Sequence, residues 1–296
     1  MRYPALTLAL VAAAVAGAGA QQKVDIRRAA APDVSVRLSG AFLSLRIIAW
    51  PVDSIAMTGA VGAGSRFEGG ALNSGGPVQG MKFYVDGPMD PSVSSNRFEL
   101  RVPRGARVWV KTGSADIECH GVAGGLDLNV IGGSIRVNGK PRELLVESMD
   151  GSVHFSGFAD FARVKTATGN IVLEGGGEDL TFTTVSGSIQ AANGERELQR
   201  ARFESVTGPI TFSGELARGA DVRFDTHSGA IELRLARTPV EFDIATMTGA
   251  IENTFSSHRP VAGREGRGME LSSSSGMGAA RVEVKSFKGN VRVTQK

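Results

Sequence analysis

Thr184-Val185-Ser186-Gly187-Ser188-Ile189 decides the fold, because it recurs. Thr166-Ala167-Thr168-Gly169-Asn170-Ile171 lies eighteen residues earlier, and Ser148-Met149-Asp150-Gly151-Ser152-Val153 eighteen before that. Working outward, the β-branched residue that ends each copy serves as an anchor: Ile117, Ile135, Val153, Ile171, Ile189, Ile210, Ile231, Ile251 and Val291. Glycine stands two before every anchor except the first, where Ala115 replaces it. Thr or Ser stands five before, with Val130 the one exception. Seven before lies Val110, Leu128, Val146, Val164, Phe182, Phe203, Phe224, Ile244 or Val284, and the column at minus nine is also apolar throughout.

These columns fix the strand faces. Residues two apart on a strand share a face. Minus nine, minus seven, the anchor and plus two therefore point inward, while the mostly polar column at minus six points to water. Each copy reads as a strand, a glycine corner and a returning strand that shares the same core. Glycine at the corner permits a positive φ or a close backbone approach. The Thr/Ser hydroxyls can bond turn amides or form a ladder, or the column can reflect the β-propensity of Thr. Anchor spacings of eighteen, then twenty to twenty-one, predict an all-β, single-stranded β-solenoid of about nine rungs, 18–21 residues each. A chain of antiparallel hairpins is the rival, but hairpins do not require a constant period.

The sequence divides into a signal peptide at 1–20, a mature N-terminal linker at 21–32, a less regular β-region at 33–105 that caps the stack, and repeats at 106–296. In the β-region, Val34, Val36 and Leu38 alternate, Leu45 and Ile47 precede Trp50, and a glycine-rich loop runs from Gly59 to Gly80. Within the repeats, residues 253–268 form an insertion, after which Met269, Leu271 and Ser273 echo a first strand with no anchor following.

Arg2, the apolar run Leu6 to Ala16 and Ala18-Gly19-Ala20 fit an exported leader cleaved before Gln21. The run is too short to span a bilayer, so no integral membrane segment is expected after cleavage. The product is expected to be exported, either periplasmic or secreted to the cell surface. The chain has 39 glycines in 296 residues, about twice the usual ~7 % share, which suits many corners and a thin core. Its 33 basic and 30 acidic residues are interspersed, which argues against a nucleic-acid partner. The lone cysteine, Cys119, falls two after an anchor and reads as a small core residue.

Several stretches carry a family resemblance. Ile55-Ala56-Met57-Thr58-Gly59, Phe98-Glu99-Leu100-Arg101-Val102-Pro103, the Thr184–Ile189 turn with its copies, and Ser275-Gly276 before Ala280-Arg281-Val282 are similar to motifs of one exported bacterial family. It is the putative-adhesin family, domain of unknown function four-zero-nine-seven. The resemblance implies a β-solenoid with a surface, adhesin-like role. The family's usual Asp before the anchor survives only as Asp116; Ser134, Ser152, Asn170, Ser188, Pro209, Ala230, Ala250 and Asn290 stand at its other positions, which weakens the case for an acidic or metal-binding ladder.

No chemistry converges. His120, His154, His227 and His258 occupy different columns, so no three-His metal site is expected. No nucleophile elbow, zincin helix or Cys pair occurs. Glu147 and Asp150 with Glu174 form the best acidic cluster for a polysaccharide-active β-helix enzyme. Gly175-Gly176-Gly177-Glu178-Asp179 reads as a connecting turn rather than a cation site. The expectation is a non-catalytic envelope protein with no cofactor, no catalytic residues, and an envelope or surface ligand, protein or glycan. The alternatives are the enzyme just named and an envelope sensor or regulatory partner.

Overall fold

The computed structural model describes residues 22–73, 75–90, 95–263, 266–273 and 277–296, the side chains of 194–197 excepted. The leader expected at 1–20, Arg264 and Ser275-Gly276 lie outside the described residues. The chain is all-β, and no helix of useful length occurs among the described residues. No described helix is long and apolar enough to cross a membrane.

The N-terminal strands are β1 (Gln22–Gly40), β2 (Ser44–Trp50), β3 (Ser54–Val61), β4 (Arg66–Ala71), β5 (Val78–Asp86) and β6 (Arg97–Pro103). The middle holds β7 (Arg107–Ser114), β8 (Asp116–His120), β9 (Gly125–Gly132), β10 (Ser134–Gly139), β11 (Glu143–Ser148), β12 (Ser152–Thr166), β13 (Ile171–Thr184), β14 (Ile189–Ser205), β15 (Ile210–Thr226) and β16 (Ile231–Leu235). The chain ends with β17 (Val240–Thr246), β18 (Ile251–Asn253), β19 (Val261–Ala262), β20 (Met269–Ser273), β21 (Ala280–Ser286) and β22 (Val291–Gln295).

The copies pair in parallel, each column on itself. Ile117 pairs with Ile135, Ile135 with Val153, Val153 with Ile171, Ile171 with Ile189, Ile189 with Ile210 and Ile210 with Ile231. The first strands follow suit, with Phe182 opposite Phe203 and Phe203 opposite Phe224. Their rings stack at centroid distances of 5.6 and 5.1 Å. All the anchors are buried, as is Cys119. Strands β12 to β15 each run through a connection, so one strand serves the end of one copy and the start of the next.

The glycine corner is explained by close approach. A Cβ on Gly187 would sit 2.1 Å from the Gly169 carbonyl oxygen, and one on Gly208 only 1.8 Å from that of Gly187. Side chains therefore cannot fit between neighbouring copies at this column. The Thr/Ser column bonds the same corner. Thr184 Oγ1 accepts from the Gly187 amide at 3.1 Å, Thr226 Oγ1 from Gly229 at 2.9 Å, and Thr166 Oγ1 donates to the Gly169 carbonyl at 2.7 Å. Just before the anchor, polar side chains tie copies together. Asn170 Oδ1 accepts from the Ser188 amide at 2.8 Å, and Asp116 Oδ1 from that of Ser134 at 3.0 Å.

Both ends correct the sequence reading. Residues 22–32 are no linker: they begin β1, whose Gln22–Ala29 stretch pairs antiparallel with β3. Residues 33–105 are not a separate cap either. Val36 and Leu38 pair with Val108 and Val110 of β7, and Leu45 with Ile117 of β8, so β1 and β2 form a copy in the same columns. On their other side, β1 meets β5 and β2 meets β6, again in parallel. Spatial order thus places β5–β6 outermost and β1–β2 second. Arg66–Ala71, within the stretch read as a glycine-rich loop, is strand β4 and covers the β5 edge antiparallel.

The C-terminal end mirrors this order. The last copy, β21–β22, lies between the Ile231 and Ile251 copies: Val282 pairs with both Val222 and Phe242, and Val291 with both Ile231 and Ile251. Chain order is therefore not spatial order at the end of the stack. The echo of a first strand after the insertion is β20, which pairs antiparallel with β17 and covers its edge. The physical reason is the same at both ends: an outermost parallel strand needs its backbone groups satisfied, and a short antiparallel strand supplies that.

Candidate functional site

The corner that follows each Thr/Ser residue carries an outward column at minus four. After the buried Gly113, its residues are Ile131, Met149, Ala167, Val185, Val206, His227, Phe287 and Met247 in spatial order. Corner amides run in that order too: Ala167 N donates to Met149 O, Val185 N to Ala167 O, Thr207 N to Val185 O, Lys288 N to His227 O and Thr248 N to Phe287 O. The ladder holds the column at the strand spacing of ~4.8 Å, so it forms a ridge roughly 34 Å long.

This ridge is apolar and wet. Ile131, Met149, Val185, Val206, Phe287 and Met247 are each between 44% and 59% exposed, whereas the residues one position earlier are buried or nearly so. Scattered apolar surface residues need no explanation, but a continuous row does. His227 and Phe287 stack face to face at 5.0 Å. Beside the ridge runs the polar column at minus six, and the two columns enclose two grooves. One, of about 700 Å³, has Tyr84 and Met89 at its N-terminal end and runs past Lys111, Glu147 and Lys165. The other, of about 670 Å³, continues past Glu204, Asp225 and Lys285 to Met247, with Arg267 on its wall. Burial raises the carboxyl of Asp225, which Arg202 opposes from 3.4 Å. Glu283 holds Lys285 above the ordinary lysine range and is itself lowered by it.

A third hollow, about 440 Å³, lies on the outer face of the first strands, between Arg37, Trp109, Asp127 and Leu145. Burial raises Asp127, with Asn129 partly offsetting it.

The acidic cluster singled out in the sequence is divided. Glu147 lines the first groove, Asp150 accepts from Thr168 Oγ1 at 3.0 Å, and Glu174 lies on the second-strand face, 3.1 Å from His154 Nε2. Each remaining histidine has its own local neighbour: Glu118 for His120, Phe287 for His227 and Ser256 for His258. No group of three His, Cys, Asp or Glu is placed to hold a metal among the described residues. Gly175, Gly176 and Gly177 are part of strand β13 rather than a connecting turn. The ridge was missed at the sequence level. Its signal is an apolar column of outward parity, shared with the polar column at minus six.

No family model matches the sequence, and no curated protein matches it. Among solved structures, the chain is similar to a putative adhesin from Bacteroides fragilis, at 8% identity and a TM-score of 0.42, over 93% of this chain and 97% of that one. It is also similar to a putative cell adhesion protein from Clostridium sporogenes, at 10% identity and a TM-score of 0.32, over 94% and 100%.

Proposed function

We propose that this chain is an exported, non-catalytic β-solenoid protein of the cell envelope, with an adhesin-like binding role. In this reading, the in-register columns are the walls of one continuous coil, and the leader at 1–20 takes it across the inner membrane. The observation that carries the reading is the exposed apolar ridge with its charged margin, a surface that water disfavours and a partner would cover. The resemblance of the turn motifs to the putative-adhesin family points the same way.

The test is attachment by cells that lack the native gene and carry it back on a plasmid. Wild type restores attachment or aggregation, while Val185→Asp, which folds because the site is exposed, does not. Protease shaving of intact cells reports surface exposure. Attachment unchanged in Val185→Asp, or polysaccharide turnover that Asp150→Asn abolishes, would overturn the reading.

A further inference from the structure

We propose that the partner of the ridge is a second copy of this chain, docked antiparallel about a two-fold axis between the Val185 and Val206 copies. This deepens the functional reading above and rests on it. The ridge is self-complementary, as a two-fold interface demands of one surface.

With the axis there, Val185 of one protomer faces Val206 of the other, small Ala167 faces the larger His227, and Met149 faces Phe287. A thioether against an aromatic ring is a favourable contact. The charged margin matches in the same register. At minus six, Lys165 opposes Asp225 and Glu147 opposes Lys285; at minus three, Asp150 opposes Lys288. Symmetry doubles each pair. Lys285 already holds Glu283 and Asp225 already holds Arg202, so the new pairs extend existing ladders.

Other registers fail. Moving the axis one copy toward the N-terminal end sets Glu147 against Glu204; moving it one copy the other way sets Glu204 against Asp225. A half-copy shift sets Glu147 against Asp225 in one direction and Lys165 against Lys285 in the other. Like charges brought together in this way exclude those alignments. The match also has a lateral limit. At minus eight, Arg163 would oppose Arg223, which confines the contact to the strip between minus six and minus three. A strip roughly 34 Å long and this narrow is at the small end of specific interfaces, so a dissociation constant on the order of 10 μM is expected.

Sedimentation of the mature chain from 1 to 200 μM tests this. Wild type dimerises. Lys165→Glu weakens the dimer at least tenfold, and the double variant Lys165→Glu with Asp225→Lys returns it to within threefold. For register, Met149→Cys and Phe287→Cys chains are mixed and oxidised. They cross-link to each other but not to themselves, and buried Cys119 does not interfere. A monomer at every concentration, no rescue in the double variant, or Met149→Cys cross-linking to itself would overturn the proposal. If the chain stays monomeric while Val185→Asp still abolishes attachment, the second copy is wrong and the ridge as a contact face stands. If attachment survives Val185→Asp, the functional reading falls as well.

Discussion

At the residue scale, the glycine column is a contact requirement and not a matter of chain flexibility. Gly187→Ala should cost about 2–4 kcal/mol, because its Cβ meets the Gly169 carbonyl at 2.1 Å and neighbouring copies must separate. Thermal melting checks it, and an unshifted transition would mean the corner tolerates a methyl group. Ile189→Asp puts a carboxylate in the core and should prevent folding or cost more than about 4 kcal/mol, whereas Thr183→Lys at the outward position should change stability by under ~0.5 kcal/mol. Cys119 gives a pH signature. Burial lifts its thiol from an ordinary 9.0 to about 12. Below pH 9 both folded and unfolded chains keep the proton. Above it the unfolded chain ionises first, so stability falls as pH rises from about 9 toward 12. Denaturant titrations of wild type and Cys119→Val should diverge over that range and run parallel below it.

At the scale of elements, the sequence displayed the columns but not the neighbours. Val34, Val36 and Leu38 alternate legibly, yet nothing in them states that β1 lies between β5 and β7. Any copy with the same columns can pair with any other, so local pattern leaves spatial order open. What selects the order is edge protection, which depends on β4, hidden in a glycine-rich stretch, and on β20, which echoes a first strand but carries no sign of its antiparallel pairing. The anchor at Leu45 was hidden because Gly40 replaces the Thr of its column. The grooves were illegible for a different reason: minus four is outward, and apolar residues there contribute nothing to a core pattern. Asn96 illustrates how the N-terminal end is secured. It is buried, accepts from the Gly62 amide at 2.8 Å, and donates to the Ala41 carbonyl at 2.8 Å and Ser65 Oγ at 3.0 Å. Asn96→Ala leaves those groups unpaired and should cost about 3 kcal/mol. Hydrogen exchange should then quicken first in β3 and β6; uniform exchange across the chain would argue against a local tie.

For the whole molecule, the interposed end copies have a mechanical consequence. Neither terminal copy is outermost, so neither can peel away without breaking ladders on both sides. The Ser35–Gly40 part of β1 and the last copy, β21–β22, are each held between two parallel neighbours. In the proposed envelope role, ends that resist peeling would let the apolar ridge bear load along the stack. Acidic and basic residues alternate along the outer face in pairs such as Asp179 with Arg200 and Arg223 with Glu283, which keeps the flanks solvated.

Like columns meet in the spatial order given above, and paired cysteines measure that directly. Neighbouring positions in a parallel ladder lie ~4.8 Å apart, within disulfide reach, while positions two copies apart lie beyond it. Asp225→Cys with Lys285→Cys, sixty residues apart in sequence, should close a disulfide under mild oxidant, and Asp225→Cys with Ala245→Cys, only twenty apart, should stay reduced. The reverse result would contradict the interposed last copy, and closure of neither pair would contradict the ladder itself.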